Sequence, residues 1–270
     1  MLDQSPNEIR NSIFFMSFTL KILSFIALLL LGCNQQKDFI QVESPNKEIA
    51  VQIRKQENDF IYNVNFKGKR IILNSKIGLM FKNGFEFPSY HNVREIEREF
   101  HSGSWELPWG EKRVVQNIYN EIIISFINKN NLEAGKMLFR AYDDGIAFRY
   151  QMNNTNKSQD SLIIINEFTE FNLSEDALAW WTPAYEENRY EYLYQKSKVS
   201  ALDTCHTPLT LKYSDGTYLS IHEASLKNYS SMQLYSDSQK LTCDLAPWSN
   251  GDKVRLRLPF QSPWRTIIIS

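Results

Sequence analysis

Apolar and polar residues alternate along many short segments of this chain. In residues 60–66, aromatic or β-branched residues occupy every even position, which is the period of two of a strand with one buried face. The other predicted strands are residues 70–73, 121–128, 137–141, 146–152, 161–168, 211–213, 218–221 and 254–258. Successive strands therefore follow one another closely for most of the chain length.

Turn-forming pairs separate these strands. Lys67-Gly68, Asp144-Gly145, Asp215-Gly216 and Asn250-Gly251 stand between or beside the strands, as expected for tight hairpins. Asp143 precedes one of these turns, so the turn explains the Asp143-Asp144 pair better than acid–base chemistry does.

The element count favours a large fold made only of strands. We count roughly fifteen strands, more than an immunoglobulin-type sandwich contains, and no regular alternation of strands with helices. The helix candidates are brief, such as residues 223–229. The pattern predicts an all-β fold, a large β-sandwich of the two-sheet supersandwich kind.

The N-terminal segment has a different pattern, typical of secretion. Lys21 precedes the short apolar run of residues 22–31, which Gly32 and Cys33 follow. This run is short for a transmembrane helix and fits a signal peptide. The sequence Leu-Leu-Gly-Cys also fits a bacterial lipobox, with Cys33 as the lipidated residue; an ordinary signal peptide with an incidental cysteine is the alternative.

These features predict three parts of the chain: a lipoprotein signal peptide in residues 1–33, a short tether in residues 34–43 and a β-sandwich domain in residues 44–270. Acidic residues near the N-terminus suit a signal peptide poorly, so Met16 is a possible true start. We expect a protein of the periplasm or the cell surface, anchored to a membrane by its lipid.

The length, net charge and cysteine content of the chain argue against some classes of function. The chain has 270 residues, a formal net charge of −1 and 43% hydrophobic residues, which suits a single large core. A near-zero charge argues against nucleic acid as a partner. Cys205 and Cys243 follow Cys33, and their spacing leaves open whether they form a disulfide and suggests no metal site.

Several short motifs occur in one order along the chain. They are residues 105–111 (WELPWGE), 117–121 (NIYNE), 140–150 (RAYDDGIAFRY), 179–185 (AWWTPAY), 188–192 (NRYEY), 206–210 (HTPLT), 220–224 (SIHEA), 247–249 (PWS) and 263–267 (PWRTI). Together they resemble the N-terminal domain of glycoside hydrolase family 97, a family of α-glucosidases and α-galactosidases common in Bacteroidetes. The similarity runs from about Ser44 to Ser270.

The resemblance implies a supersandwich of the galactose-mutarotase type, packed on a (β/α)8 barrel that acts on α-linked oligosaccharides. In the family the barrel carries the catalytic carboxylates, and a calcium ion lies near the domain junction. The resemblance implies Glu191 as a calcium ligand and Asn188, Arg189, His222 and Glu223 as substrate-binding residues. Calcium takes six to eight oxygen ligands, so Glu191 needs ligands from the barrel.

A barrel requires about 250 residues, and in the family it would follow the last residue of this chain. Because glycoside hydrolysis normally needs two opposed carboxyl groups, we expect no catalytic residue in this chain and no hydrolase activity from it alone. A truncated gene product, a split gene or a fragmentary gene model would each explain a chain that lacks the barrel.

The candidate residues have alternatives that the sequence leaves open. Glu191 can be a surface carboxylate paired with Arg189, and His222 can be satisfied by a backbone carbonyl at a strand end. The tryptophans suit the core or a domain interface as well as sugar stacking.

Four functions follow from the sequence: the accessory domain of a family 97 glycosidase, a free-standing sugar-binding lipoprotein, an aldose epimerase suggested by the fold alone, or a remnant without function.

Overall fold

A computed structural model describes residues 39–153, 161–187 and 191–270. The described residues form 22 β-strands and one short 3-10 helix, Val199–Ala201. The strands are β1 Ile40–Glu43, β2 Ile49–Gln56, β3 Asp59–Phe66, β4 Lys69–Ile77, β5 Leu79–Phe81, β6 Glu86–Phe87, β7 Asn92–Glu106, β8 Val114–Ile127, β9 Glu133–Tyr142, β10 Gly145–Met152, β11 Ser161–Glu167, β12 Glu170–Leu173, β13 Leu178–Trp181, β14 Gln195–Lys198, β15 Thr204–His206, β16 Leu209–Lys212, β17 Tyr218–Ala224, β18 Met232–Asp237, β19 Lys240–Leu245, β20 Val254–Arg257, β21 Phe260–Gln261 and β22 Trp264–Ile269.

The strands form three antiparallel sheets. An eight-stranded sheet has the order β1-β2-β3-β4-β12-β19-β18-β15. A ten-stranded sheet has the order β14-β13-β16-β17-β22-β10-β9-β8-β7, with β21 also paired to β10. A four-stranded sheet has the order β20-β11-β5-β6.

The two large sheets enclose the core. Tyr62 of β3 contacts Phe148 of β10, with ring centroids 5.2 Å apart, and Phe60 contacts Phe126 of β8 at 5.0 Å. Each pair joins one large sheet to the other, and all four side chains are buried. The predicted all-β sandwich is therefore confirmed.

The predicted hairpin turns lie at the predicted residue pairs or, for Asp144-Gly145, one residue earlier. Asp143 and Asp144 form the two-residue turn between β9 and β10, in which Tyr142 pairs with Gly145. The Asp143 carboxylate accepts the N–H of Asn46 at 2.8 Å, which is a structural contact. Gly216 has φ 93° between β16 and β17, a backbone conformation that glycine adopts without strain.

One sequence prediction is wrong: residues 223–229 form no helix. Strand β17 continues through Ala224, and a loop follows in which Ser225 and Asn228 have positive φ angles. No helix in the described part of the chain is long and apolar enough to cross a membrane. The predicted signal peptide, tether start and lipidated Cys33 lie outside the described residues.

Candidate functional site

A charged cluster is buried where the four-stranded sheet meets the ten-stranded sheet. The side chain of Arg265 on β22 is fully buried. Its Nε and Nη2 donate to the two carboxylate oxygens of Glu167, at 2.8 and 2.7 Å, and its Nη1 donates to Glu223 at 2.7 Å. Glu167 ends β11 and Glu223 lies on β17, so the cluster joins strands of different sheets.

Neighbouring donors satisfy the remaining carboxylate oxygen positions. Glu167 also accepts hydrogen bonds from the hydroxyls of Thr169 at 2.8 Å and Tyr229 at 3.1 Å. The second oxygen of Glu223 accepts the backbone N–H of Met232 at 3.0 Å. A buried ion pair persists only when such extra hydrogen bonds compensate the lost hydration.

Burial and ion pairing have opposite effects on the pKa values of Glu167 and Arg265. Burial alone would raise the pKa of Glu167, but the charge and hydrogen bonds of Arg265, with those of Thr169 and Tyr229, outweigh burial and lower that pKa. Burial opposes the charge of Arg265, but Glu167 raises the pKa of the guanidinium well above its ordinary value. Both groups therefore stay charged at neutral pH, and the cluster is suited to cross-linking sheets rather than to proton transfer.

An open cleft of about 1320 Å³ lies beside this cluster. Strand β20, strand β21, the end of β10 and the loops 225–231 and 246–253 supply its walls. The charged residues that line it in the described part of the chain are Arg149, Lys227, Lys253, Arg255 and Arg257, with no Asp or Glu among them. Trp248 lines it too and is 57% exposed.

Arginines and aromatic rings stack on the outer face of the ten-stranded sheet. The guanidinium of Arg140 lies 4.3 Å from the ring centroid of Tyr119 and 4.3 Å from that of Trp264. Arg149 lies 4.2 Å from the same Trp264 ring, and Arg140 donates to Glu121 at 2.6 Å. The sequence alone predicts no site role for Arg140 or Arg149, although both belong to the motif of residues 140–150.

The predicted calcium ligand lies in the connection between β13 and β14. Glu191 is solvent-exposed, as are Glu186 and Glu187 before it. Asn188 and Arg189, two of the predicted substrate-binding residues, lie outside the described residues, so the Glu191–Arg189 pairing stays untested.

A metal site at Glu191 would need ligands in addition to this residue. No three His, Cys, Asp or Glu side chains among them are grouped so as to hold a metal ion. A calcium ion needs six to eight oxygen ligands, and Glu191 supplies two oxygens at most. A calcium site that used Glu191 would need its other ligands from elsewhere.

His222 and Glu223 point to opposite faces of β17. Glu223 is 8% exposed and faces the core, whereas His222 is half-buried on the outer face. The Nδ1 atom of His222 is buried without a hydrogen-bond partner among the described residues. Because adjacent strand residues alternate in direction, these two cannot act as a base and its orienting partner; their predicted role in substrate binding stays untested.

The tryptophans divide between interior and surface. Trp181 is 7% exposed, and Trp180 and Trp264 are half-buried. Trp105, Trp109 and Trp248 are 48%, 83% and 57% exposed. The exposed rings are the ones free to contact a sugar or another domain.

Several solved structures that share this fold are glycosidases. A glycoside hydrolase family 97 enzyme from Pseudoalteromonas sp. strain K8, solved with acarbose, superposes on 86% of this chain with a TM-score of 0.80 and 34% identity. A variant of that enzyme was solved with panose. A β-arabinopyranosidase superposes on 86% of the chain with a TM-score of 0.77 at 18% identity, which shows the fold alone. The class is thus the β-sandwich domain of a glycoside hydrolase.

Sequence comparison gives the family. The family model for the glycosyl-hydrolase 97 N-terminal domain matches residues 42–270, so the chain belongs to this family. A retaining α-galactosidase of Bacteroides thetaiotaomicron is 24% identical over an alignment of 232 residues, which covers 80% of this chain and 33% of that protein. The chain also covers 35% of the Pseudoalteromonas enzyme, so it spans about a third of these relatives. The resemblance seen in the sequence is confirmed.

Proposed function

We propose that this chain is the accessory, non-catalytic domain of an α-glycosidase that cleaves α-linked oligosaccharides. The observation that carries the proposal is the match of residues 42–270 to the N-terminal domain of family 97. In this proposal the domain packs against a (β/α)8 catalytic domain, which supplies both catalytic carboxyl groups. The acarbose and panose complexes of the Pseudoalteromonas enzyme support an α-linked substrate.

Glu191 would be the contribution of this domain to a calcium ion at the domain junction. Its exposure on the β13–β14 connection supports this role, because a partner domain can reach the carboxylate. Hard carboxylate oxygens suit calcium, and the catalytic domain would supply the remaining ligands. Asn188, Arg189 and His222 are proposed to contact substrate at the same junction.

We also propose a location for the protein. Lipidation of Cys33 after signal-peptide cleavage would place the domain in the periplasm or on the cell surface, tethered to a membrane. Growth with a labelled fatty acid tests this point: the wild-type chain should carry label, and the Cys33→Ala variant should not. Label that persists in the variant would contradict the lipobox assignment.

A domain exchange tests the accessory function. Residues 42–270 replace the equivalent domain of the Pseudoalteromonas enzyme, and panose hydrolysis is measured. We expect the chimera to hydrolyse panose, while this chain alone releases no p-nitrophenol from p-nitrophenyl α-glucoside or α-galactoside. A chimera that is folded by circular dichroism but inactive, or hydrolysis by this chain alone, would refute the proposal.

The same chimera tests Glu191. Glu191→Gln should raise the calcium concentration needed for half-maximal activity by roughly tenfold or more, because an ionised ligand is lost. Glu187→Gln is the matched control, since that exposed side chain lies in the same connection. Equal calcium dependence in the two variants would remove Glu191 from the site.

A further inference from the structure

The cleft beside β20 concentrates positive charge on a nearly neutral protein. The chain carries a formal net charge of −1, yet among the described residues five cationic side chains and no carboxylate line this one cleft. A cleft lined by one sign of charge focuses the electrostatic field and raises the local concentration of ions of the opposite sign. The lining therefore selects for anions.

Two of the five cations are paired with carboxylates outside the cleft wall. Lys253 lies 2.9 Å from Asp244, and Arg255 lies 3.3 Å from Asp252, which also binds Lys82 at 2.8 Å. The other three, Arg149, Lys227 and Arg257, form no ion pair with any described residue. Their charge is not neutralised within the described part of the chain.

Arg149 is a half-buried cation in the lining of the cleft. Its guanidinium packs over the ring of Trp264, 4.2 Å from the ring centroid. Its Nε is buried and has no hydrogen-bond partner among the described residues. Burial, and then the charge of Arg140, lower the pKa of Arg149. Both effects disfavour the charged guanidinium, so a bound anion would stabilise it. A planar guanidinium can bind a carboxylate or sulfate group through two hydrogen bonds.

The rest of the lining suits a sugar. Trp248 is 57% exposed, and its backbone hydrogen bonds to Asp252 at 2.8 Å and Gly251 at 2.9 Å hold its loop in place. Gln151, Asn153 and Gln261 add amide groups that can bind hydroxyls. An aromatic face beside amide groups combines apolar contact with directed hydrogen bonds.

We propose that this cleft binds an oligosaccharide that carries sulfate or carboxylate groups. Its volume of about 1320 Å³ exceeds the roughly 300–1,000 Å³ of ordinary small-ligand sites, which favours several sugar units over one. Nucleic acid is disfavoured because it requires a basic surface much more extended than one cleft. No described residue of the proposed calcium site lines the cleft.

Calorimetry on the purified full chain tests the proposal with three probes of equal length: a sulfated galacto-oligosaccharide, an oligogalacturonate and a neutral malto-oligosaccharide. We expect at least one anionic probe to bind more than tenfold more tightly than the neutral one, with an affinity that falls as salt rises. The two anionic probes distinguish sulfate from carboxylate recognition.

Substitutions in the lining test whether the oligosaccharide binds in the cleft. Arg257→Gln, which changes an exposed side chain and should leave the fold intact, should weaken binding roughly tenfold, since a charge-assisted hydrogen bond is lost. Trp248→Ala should weaken it as well, whereas Arg113→Gln, a matched exposed arginine outside the cleft, should not. Equal binding of charged and neutral probes, no effect of Arg257→Gln, or equally tight binding of a single-stranded DNA oligomer would each overturn the proposal.

Discussion

Arg265 and Glu167 form a buried ion pair in which two guanidinium nitrogens donate to two carboxylate oxygens, at 2.8 and 2.7 Å. Both side chains are 0% exposed, and they lie 98 residues apart in the chain. The parallel geometry of the two hydrogen bonds fixes the orientation of both groups. The pair thereby sets how β22 of the ten-stranded sheet faces β11 of the four-stranded sheet.

Removing the cation should strongly destabilise the domain. Arg265→Met leaves the carboxylates of Glu167 and Glu223 buried without a counterion, and we expect a loss of about 3–5 kcal/mol in the free energy of unfolding. Urea denaturation followed by circular dichroism measures this. Arg113→Met is the control, because Arg113 pairs with Glu106 on the surface and should contribute little.

A triple variant distinguishes unpaired charge from lost packing. If the cost arises from the uncompensated carboxylates, adding Glu167→Leu and Glu223→Leu to Arg265→Met should restore part of the stability, since an apolar replacement removes the buried charges. A triple variant less stable than Arg265→Met would contradict this explanation and would favour a dominant role for packing.

An exposed ion pair provides a pH-dependent test. Asp215 accepts hydrogen bonds from Lys69 at 2.7 Å and from the backbone of Thr217 at 3.0 Å, which lower its pKa from 3.8 to about 2. A carboxyl whose pKa is lower when folded contributes stability above its unfolded pKa. That contribution is lost as the pH falls from about 4 to about 2.

NMR titration of Asp215 measures this pKa directly. In the Lys69→Met variant the pKa should rise towards 3.8 without reaching it, because the hydrogen bond from Thr217 remains. Lys240→Met, which removes a lysine that pairs with Glu170 instead, is the control and should leave the pKa of Asp215 unchanged. An unchanged pKa of Asp215 in the variant would mean that Lys69 does not hold it.

Local chemistry explains which parts of the fold the sequence predicts well. Turn residues such as Lys67-Gly68, with φ 49° and 80°, form their turns through their own backbone preferences, so they can be recognised without knowledge of the rest of the chain. The strands that pack one face on the core alternate visibly, and their predicted positions agree with β3, β10 and β20.

The features that the sequence does not predict depend on residues far away in the chain. Strand β7 is exposed along nearly all of its length and is held by pairing with β8, so it lacks the alternating pattern. Strand β17 extends to Ala224 because Arg265, 42 residues away, neutralises Glu223 in the core. The ion cluster itself joins residues with no common local pattern, and no single segment of sequence indicates it.

The two described cysteines should be unreactive in the folded protein. Cys205 pairs with Leu234 and Leu234 pairs with Cys243, so a whole strand separates them. Two strand spacings amount to about 9–10 Å, beyond the roughly 7 Å that a disulfide can span. Both thiols are free and buried, and burial raises the pKa of Cys205 to about 12.

Alkylation with iodoacetamide at pH 8, followed by peptide mass spectrometry, tests this expectation. Peptides containing Cys205 or Cys243 should remain unlabelled in the native protein and become fully labelled in guanidinium chloride, since only the thiolate reacts. A disulfide-linked pair of these peptides, or labelling in the native state as fast as in denaturant, would contradict the structure.

His222 and Glu223 should respond differently to substitution because they face opposite sides of β17. Glu223→Ala removes an acceptor of Arg265 and of the Met232 N–H, and we expect a cost of about 2–4 kcal/mol in the free energy of unfolding. His222→Ala removes a side chain whose Nδ1 has no partner among the described residues, and should change stability by less than about 0.5 kcal/mol. Urea denaturation measures both, and panose hydrolysis by the chimera tests whether His222 contacts substrate. Equal destabilisation by the two variants would contradict the division of this strand into a structural face and an outer, ligand-accessible face.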